Sequence, residues 1–337
     1  MTSRDDQSEI FLNSDAMNED FFIDIAERKL KISKDEFKLR LVLLAPATGT
    51  NENYLSVLYR AKIKVEILET KEIKVVKVVI KALVALMKAL EGFSVFPRER
   101  FMYENILKSF EKLWLDRAGE KVLFGPESIK FETDPYEIIV LDDLKASNYE
   151  MLNRKVGANL EQTKVLLAKI AKFHAAGAVR YQQVIFLFFK ILSCFIYLLT
   201  QDGTIKDFLD RKTIVLDLSD DSPFIAGFRS MFNSFVAVIE NFGGFNDVDE
   251  KMKKWNSSDL MNQFNTVAEP MRCGFQVLNH GDLWLNNMMF KLDDEDHVID
   301  VSLIDYQVNF WASPTPDLFY FLISSVADNI KIDNFDK

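Results

Sequence analysis

Apolar and polar residues alternate along residues 54–67. Ala61, Ile63, Val65 and Ile67 share one set of alternate positions, and Arg60, Lys62, Lys64 and Glu66 share the other. Because successive side chains of a strand point to opposite faces, this period of two predicts a strand that buries one face. A polar turn at 69–72 leads into a second predicted strand, which ends with Lys81.

The periodicity changes from strands to helices along the chain. A helix is predicted to begin near Pro97, because proline suits the first helical turn, and a further strand is predicted over 137–141. From Glu161 onward the pattern is mostly helical. Strands followed by helices predict an α+β molecule of two lobes. We place an N-terminal lobe at 1–143 and a mostly helical C-terminal lobe at 144–337.

Composition narrows the classes of function. A chain of 337 residues has room for about two domains. Its net charge of −10 argues against a broad nucleic-acid surface, which needs clustered Lys and Arg. The two cysteines, Cys194 and Cys273, have no disulfide-like or metal-like spacing, and the N-terminal residues lack the apolar stretch of a signal peptide. We therefore expect a cytoplasmic protein.

The segment His280-Gly281-Asp282 carries the most specific chemistry in the sequence. Asn287 follows five residues after Asp282, and Asp305 follows a predicted hairpin with strands at 288–292 and 298–304. Phosphoryl transfer needs an acidic residue that orients the acceptor hydroxyl and oxygen ligands for Mg2+ beside the phosphates. Asp282 fits the acidic residue that orients the acceptor hydroxyl, and Asn287 and Asp305 fit the magnesium ligands. The pattern therefore predicts ATP and Mg2+ as cofactors.

A lysine and a glutamate from the first lobe extend this set. Lys81 ends a Val-Val-Ile-Lys segment typical of a strand whose lysine binds phosphates, although a solvated strand lysine is the alternative. On a helix of about 100° per residue, Glu99 falls on the apolar face and Glu104 points to solvent. That face also carries Met102, Tyr103, Ile106, Phe110, Leu113 and Trp114. Because a buried carboxylate is costly unless paired, we predict an ion pair between Glu99 and Lys81.

The loop at 49–54 is a candidate phosphate-covering loop. Asn51, and Ser56 just beyond the loop, are candidate donors to phosphate oxygens. A plain loop that leads into the strand explains these residues equally well, so both interpretations stay open.

The chain has three histidines, and none is predicted to be a catalytic base. We expect His280 to brace the loop that carries Asp282, called the catalytic loop below, through hydrogen bonds. We expect His174 to be a packed helical residue. His297 lies in the acidic turn of the hairpin and needs no role.

With these residues in place, the chain resembles the ecdysteroid kinase-like family, within the choline kinase and aminoglycoside phosphotransferase superfamily. The resemblance covers most of residues 15–335. One combination is quite specific to this family and goes beyond the general kinase pattern: HGDLW followed by NN and F, and later Asp-Tyr-Gln. The matching segments are GTNENYLSVLYRAKI at 49–63, VVIK at 78–81, VFPRERFMYE at 95–104, IIVLDDLKASNY at 138–149, LAKIAKFHAAGAV at 167–179, HGDLWLNNMMF at 280–290, LIDYQ at 303–307 and PTPDLFYFL at 314–322.

This resemblance implies a bilobal protein-kinase-like fold, with an antiparallel sheet and a helix in the nucleotide-binding first lobe. It implies phosphorylation of a hydroxyl group on a small molecule. Carried onto this sequence, it assigns the adenine-binding hinge to Asp142, Asp143 and Leu144, and it assigns Asp317 to bracing the catalytic loop. The residues that it assigns to phosphate, base and metal roles are those already predicted: Lys81, Glu99, Asp282, Asn287 and Asp305.

Residues 184–199 form an apolar run that only Lys190 and Ser193 interrupt. The run is shorter than the roughly 18–20 residues of a membrane span. A span there would also separate Lys81 from Asp282, which must act on the same ATP, so we expect no stable membrane span. A helix buried on all sides is one explanation. The favoured hypothesis is a retained intron over 184–201, which sequencing the transcript tests.

The sequence thus predicts a small-molecule kinase that transfers the γ-phosphoryl group of ATP to an ecdysteroid-like or xenobiotic alcohol, with no nucleic-acid partner. A choline-type or aminoglycoside-type kinase is one alternative. The chain ends 32 residues after Asp305, so we expect a C-terminal lobe shorter than those of relatives. A catalytically inactive nucleotide-binding or ligand-binding relative is therefore the second alternative.

Overall fold

The computed structural model describes residues 17–47, 56–83, 95–134, 136–191, 223–241, 250 and 275–334. The chain separates into two compact units. Unit 1 comprises Met1–Arg154 with Asn286–Gln307, and unit 2 comprises Lys155–Leu285 with Val308–Lys337. The predicted hairpin after the catalytic segment therefore belongs to unit 1, together with the N-terminal part of the chain. The lobe boundary at residue 143 stays a prediction.

Unit 1 is built on a five-stranded antiparallel sheet. Its strands are β1 Phe37–Pro46, β2 Ser56–Ile67, β3 Ile73–Leu83, β4 Ser128–Glu132 and β5 Ile138–Asp142. They lie side by side in the order β1-β2-β3-β5-β4. This order places β3, which carries Lys81, at the centre of the sheet.

The alternating pattern of β2 is confirmed. Ala61, Ile63 and Val65 are fully buried, whereas Lys62 on the opposite face is exposed. Val78 lies directly across from Ala61 on β3 and is buried with it. Because β-branched side chains pack well on a pleated surface, these residues form the core face of the sheet.

A helix before the sheet, α1 Glu19–Leu30, joins the same core through Phe21, Phe22, Ile25 and Ala26. It begins where the side chain of Asn18 accepts a hydrogen bond from the Phe21 N–H at 3.0 Å, an ordinary helix cap. Neither α1 nor β1 was predicted. The helical spacing of these four apolar residues was nevertheless readable in the sequence.

The helix predicted near Pro97 is present, and it contains an irregular turn. It runs as α2 Val95–Phe101, a π-helical segment Met102–Ile106, and α3 Leu107–Ala118. Glu99, Met102, Tyr103, Ile106 and Phe110 are buried as predicted, while Leu113 and Trp114 are only half-buried. A π turn adds a residue to one helical turn, so the regular 100° spacing no longer holds beyond it.

The hairpin predicted after the Asp282 segment is confirmed to within one residue. Its strands are β8 Met288–Leu292 and β9 Val298–Leu303, which pair antiparallel. A short strand, β6 Tyr149–Glu150, adds to β8 on its other side. The main-chain N–H of Leu303 also donates to the carbonyl oxygen of Phe124 at 3.1 Å, which ties the hairpin to the segment after α3.

Unit 2 is mostly helical in its described part. Its helices are α4 Leu160–Ile191, α5 Pro223–Asn241, α6 Thr315–Ser325 and α7 Asp328–Asn334. A two-stranded antiparallel pair, β7 Val277–Asn279 and β10 Phe310–Ala312, brackets the catalytic loop in sequence. The predicted α+β class is confirmed.

The apolar run at 184–199 begins as a continuation of α4, whose backbone is helical to Ile191. The remainder of the hypothesised intron, 192–201, lies outside the described residues. Within the part of the chain that the structure describes, no helix combines the length and the apolar character that crossing a bilayer requires.

Candidate active site

Three charged side chains of unit 1 form a compact cluster. Lys81 Nζ donates to Glu99 Oε2 at 2.6 Å and to Asp305 Oδ1 at 2.5 Å. The side chains of Lys81 and Glu99 are 8% and 1% exposed, and that of Asp305 is 27% exposed. The predicted ion pair between Lys81 and Glu99 is therefore present. A third partner, Asp305, comes from 224 residues further along the chain.

The surrounding elements explain why these side chains meet. Alternation along β3 sends Ile80 and Ala82 into the core and turns Lys81 to the other face. Helix α2 carries Glu99 on its buried side, and the ring of Phe96, one turn earlier, lies 5.7 Å from Lys81 Nζ. The lysine is thus held by two carboxylates and an aromatic face.

Burial and charge shift the pKa values of this cluster. Burial alone would lower the pKa of Lys81, but the charges of Asp305 and Glu99 outweigh burial and raise it, so Lys81 stays a cation. Burial raises the pKa of Glu99 from 4.5 to about 7; Lys81 opposes this rise and Asp305 adds to it. Burial is therefore the main cause of the raised pKa of Glu99, and the attraction of Lys81, which Glu99 shares with Asp305, offsets it only in part.

This pKa predicts a pH-dependent stability that Glu99→Gln removes. A group whose pKa is higher in the folded state stabilises the protein fully below its unfolded pKa, here 4.5, and this stabilisation is lost as the pH rises through about 7. As the pH rises from 4.5 to about 7, the wild type should therefore lose about 3 kcal/mol of unfolding free energy that the Glu99→Gln variant does not lose. Urea unfolding at both pH values measures the difference.

The control for this experiment is Glu104→Gln on the same helix. Glu104 forms an ion pair with Arg100 at 2.9 Å, and both side chains are partly exposed. Loss of such a surface pair changes stability little. A wild-type minus Glu99→Gln difference that stays constant with pH would contradict the assigned pKa.

Asn287 and Asp305 lie at the same end of the hairpin. The Ile304 N–H donates to the carbonyl oxygen of Asn287 at 3.0 Å, which places Asp305 one residue beyond this contact. Asp305 has a φ of 67°, a left-handed conformation that is uncommon outside glycine and that clusters at functional sites. The second carboxylate oxygen of Asp305 accepts from the Gln307 side chain at 3.2 Å. An amide oxygen and a carboxylate are hard ligands, so this pair fits Mg2+.

The predicted hinge residues use their side chains for local structure. Asp143 Oδ2 accepts from Arg60 Nε at 2.7 Å, and its Oδ1 caps the turn at Lys145. Asp142 pairs with Lys29 at 3.1 Å. Leu144 begins the 3₁₀ helix Leu144–Ser147. The carboxylates of Asp142 and Asp143 therefore hold this segment in place, and its role as an adenine-binding hinge stays a prediction.

The two predicted phosphate-loop residues fare differently. Ser56 begins β2 opposite Leu83 and is buried. Asn51 lies outside the described residues. The choice between a phosphate-covering loop and a plain loop stays open.

In unit 2, buried polar side chains hold the catalytic loop. Asp317 is 1% exposed, and its carboxylate accepts from the N–H groups of His280 at 2.7 Å and Gly281 at 2.9 Å. The side-chain amide of Asn309 donates to the carbonyl oxygens of Asn279 and His280, both at 3.2 Å. The assignment of Asp317 as the brace of this loop is thus matched by direct hydrogen bonds.

The backbone of this loop also explains its glycine. Gly281 has a φ of 85°, and a Cβ there would lie 2.2 Å from the carbonyl oxygen of Val308. Both the conformation and the close approach exclude a side chain. Glycine therefore lets the loop turn tightly just before Asp282.

The histidines and Asp282 have clear local contacts. His174, expected to be a packed residue, is buried, and its Nε2 lies 2.8 Å from Asp317 Oδ2. His280 is fully buried, and its Nδ1 accepts a long hydrogen bond, 3.4 Å, from the Asp282 N–H. His297 is exposed in the hairpin turn. Asp282 Oδ1 accepts a hydrogen bond from the Tyr320 hydroxyl at 3.1 Å.

Sequence reasoning missed Asn309 and Tyr320 as parts of this site. Tyr320 stands in the segment 314–322 that carried the family resemblance, but no spacing rule linked it to Asp282, 38 residues earlier. Asn309 contacts the loop from 29 residues away, and no pattern in the sequence identifies it.

Comparison with known proteins identifies the family of this chain. The profile of the ecdysteroid kinase-like family matches residues 50–337, a range that contains Lys81, Glu99 and Asp305 as well as the loop with Asp282. No curated protein matches the chain significantly. Because the family match extends over most of the sequence, this chain belongs to the ecdysteroid kinase-like family.

Proposed function

We propose that this protein is a small-molecule kinase that transfers the γ-phosphoryl group of ATP to a hydroxyl of an ecdysteroid-like or xenobiotic alcohol. The observation that carries the proposal is the buried cluster of Lys81, Glu99 and Asp305. A lysine held between two carboxylates from distant parts of the chain costs desolvation energy, so it is better explained by a function than by stability.

Unit 1 supplies the groups that would hold the nucleotide. Lys81 would bind phosphate oxygens, with Glu99 fixing the direction of its ammonium group. The main chain after Asp142 would receive adenine. Asn287 and Asp305 would hold Mg2+, which neutralises charge on the phosphates when bound. Lys81 would then exchange its contact with Asp305 for a phosphate oxygen.

Unit 2 supplies the group that would act on the acceptor. Asp282 would accept a hydrogen bond from the acceptor hydroxyl, orient its oxygen toward the γ-phosphorus and take its proton as the new O–P bond forms. The bond between the γ-phosphorus and the β,γ-bridging oxygen would break in the same step, and ADP would leave. The loop that carries Asp282 is fixed by Asp317 and Asn309. Such fixed geometry is what positional catalysis of phosphoryl transfer requires.

Exposed apolar side chains on helix α6 favour an apolar acceptor over a cationic one. Helix α6 exposes Phe319 and Ile323, 57% and 67% accessible, on either side in sequence of the tyrosine that contacts Asp282. Exposed apolar side chains on an element that also contacts a reactive group are consistent with a site for an apolar ligand. A choline-type or aminoglycoside-type acceptor would be better served by carboxylates at these positions.

Incubation with γ-labelled ATP and a panel of acceptors tests this function. The panel contains steroid and plant-derived alcohols, together with choline and an aminoglycoside as the competing class. We expect label to appear on a steroid-like or plant-derived alcohol, in a reaction that stops when Mg2+ is chelated. Label on choline or the aminoglycoside alone would favour the first alternative. No labelled product at all, with MgATP still raising the melting temperature, would favour an inactive binding protein.

A further inference from the structure

Helix α6 makes three kinds of contact with the catalytic loop of unit 2. The Asp317 carboxylate accepts from main-chain N–H groups at the start of the loop, and Ser325 Oγ accepts from the Leu285 N–H at 3.1 Å at its end. Tyr320 makes the third contact, at 3.1 Å, with Asp282 Oδ1. Of the three, this contact alone reaches the side chain that would touch the acceptor.

Tyr320 is well suited to hold a carboxylate. It lies three residues after Asp317, so both side chains leave the same side of the helix. The next residue, Phe321, is fully buried and anchors the helix at this point. Burial and the charge of Asp282 raise the pKa of the Tyr320 phenol above its ordinary value, so the hydroxyl keeps its proton and remains a donor.

An aspartate needs such a partner because rotation about its last side-chain bond is only weakly restricted. A carboxylate accepts up to about four hydrogen bonds, so a tyrosine and an acceptor hydroxyl can both bind it. A donor on one oxygen therefore fixes the direction in which the carboxylate faces the acceptor. Loss of this orientation slows a reaction that depends on exact alignment.

We infer that Tyr320 is a positioning residue for Asp282, which sets the orientation of its carboxylate toward the acceptor hydroxyl. This inference rests on the proposed kinase function. It concerns a residue that the catalytic pattern itself did not include.

Tyr320→Phe tests the role directly, since it removes the hydroxyl and keeps the ring. We expect turnover of the alcohol acceptor to fall roughly 10- to 100-fold, the effect of one hydrogen bond to a charged group. The KM for ATP should stay unchanged, because the nucleotide groups belong to unit 1. If Tyr320 only stabilised the fold, its replacement would not lower turnover while leaving the KM for ATP unchanged.

Tyr149→Phe is the matched control. Tyr149 also donates its hydroxyl to an aspartate, Asp300 Oδ2 at 2.6 Å, and both residues belong to unit 1. The Tyr149→Phe variant loses a comparable hydrogen bond and should keep wild-type turnover. A loss of turnover equal to that of Tyr320→Phe would show a general effect of weakening the fold, and would overturn the inference.

A second measurement follows the contact itself, independent of activity. In protein made with isotope-labelled tyrosine, the hydroxyl-bearing ring carbon of each tyrosine gives an NMR signal. The signal of Tyr320 is the one that disappears from the spectrum of Tyr320→Phe. Asp282→Ala should shift this signal and leave that of Tyr149 in place. An unmoved Tyr320 signal would mean that the hydrogen bond is absent, and the inference would fail.

The outcomes separate this inference from the function on which it rests. Wild-type transfer combined with normal turnover in Tyr320→Phe would refute the role of Tyr320 and leave the kinase function standing. Absence of transfer in the wild type would refute the function and the role together, whatever the NMR signal shows. Phosphate found on Tyr320 after incubation with ATP would make this hydroxyl an acceptor, and would also overturn the positioning role.

Discussion

Replacing Asp282 by Asn should reduce phosphoryl transfer by about a thousandfold, within the range that a general base contributes. Asn keeps the size of Asp and can still accept one hydrogen bond from Tyr320, so the local packing survives. It carries no negative charge and cannot take the proton of the acceptor hydroxyl. The loss should therefore appear in turnover. Labelled-product formation at saturating ATP measures it.

Nucleotide binding provides the internal control for Asp282→Asn. Lys81, Glu99, Asn287 and Asp305 all belong to unit 1, and Asp282 belongs to unit 2. The affinity for MgATP, followed by titration calorimetry, should accordingly stay close to that of the wild type. A variant that turns over as fast as the wild type would remove Asp282 from the reaction. A variant that binds ATP no longer would indicate a misfolded loop.

Much of the unit 1 cluster could be predicted because its signals are local. Strand alternation turned Lys81 away from the core, and helical periodicity placed Glu99 on the apolar face. The ion pair then followed from the cost of an unpaired buried carboxylate. The hairpin was predictable for a similar reason, since two short apolar strands flank an acidic turn.

The parts that escaped prediction depend on contacts between distant residues. Asp305 was expected to hold metal, and its contact with Lys81 joins residues 224 apart, which no sequence period reports. Asn309, just before β10, and Tyr320, on α6, contact the catalytic loop only because the later chain folds back onto it. The π turn within the α2–α3 helix likewise has no local pattern, and it changed which later residues are buried.

Replacing Asp317 by Ala should destabilise unit 2 by roughly 3–5 kcal/mol, the effect of removing one partner from a buried charged network. Its two oxygens serve three donors: Oδ2 accepts from the His280 N–H and faces His174 Nε2, and Oδ1 accepts from the Gly281 N–H. Alanine would leave these groups buried without acceptors. Because folded proteins are stable by only about 5–15 kcal/mol, this loss is a large fraction of the total.

Urea unfolding followed by tryptophan fluorescence measures this change in a Trp114→Phe background, in which the remaining tryptophans, Trp255, Trp284 and Trp311, all belong to unit 2. Asp328→Ala is the matched control, because its carboxylate is 90% exposed and its ion pair with Lys331 should contribute little. Asp317→Asn adds a finer test: one oxygen remains as an acceptor, but the new NH2 group faces a donor, so we expect a smaller loss of stability than with Ala. An Asp317→Ala protein as stable as the wild type would mean that the catalytic loop holds its shape without this carboxylate, and the brace would have to be sought in Asn309 instead.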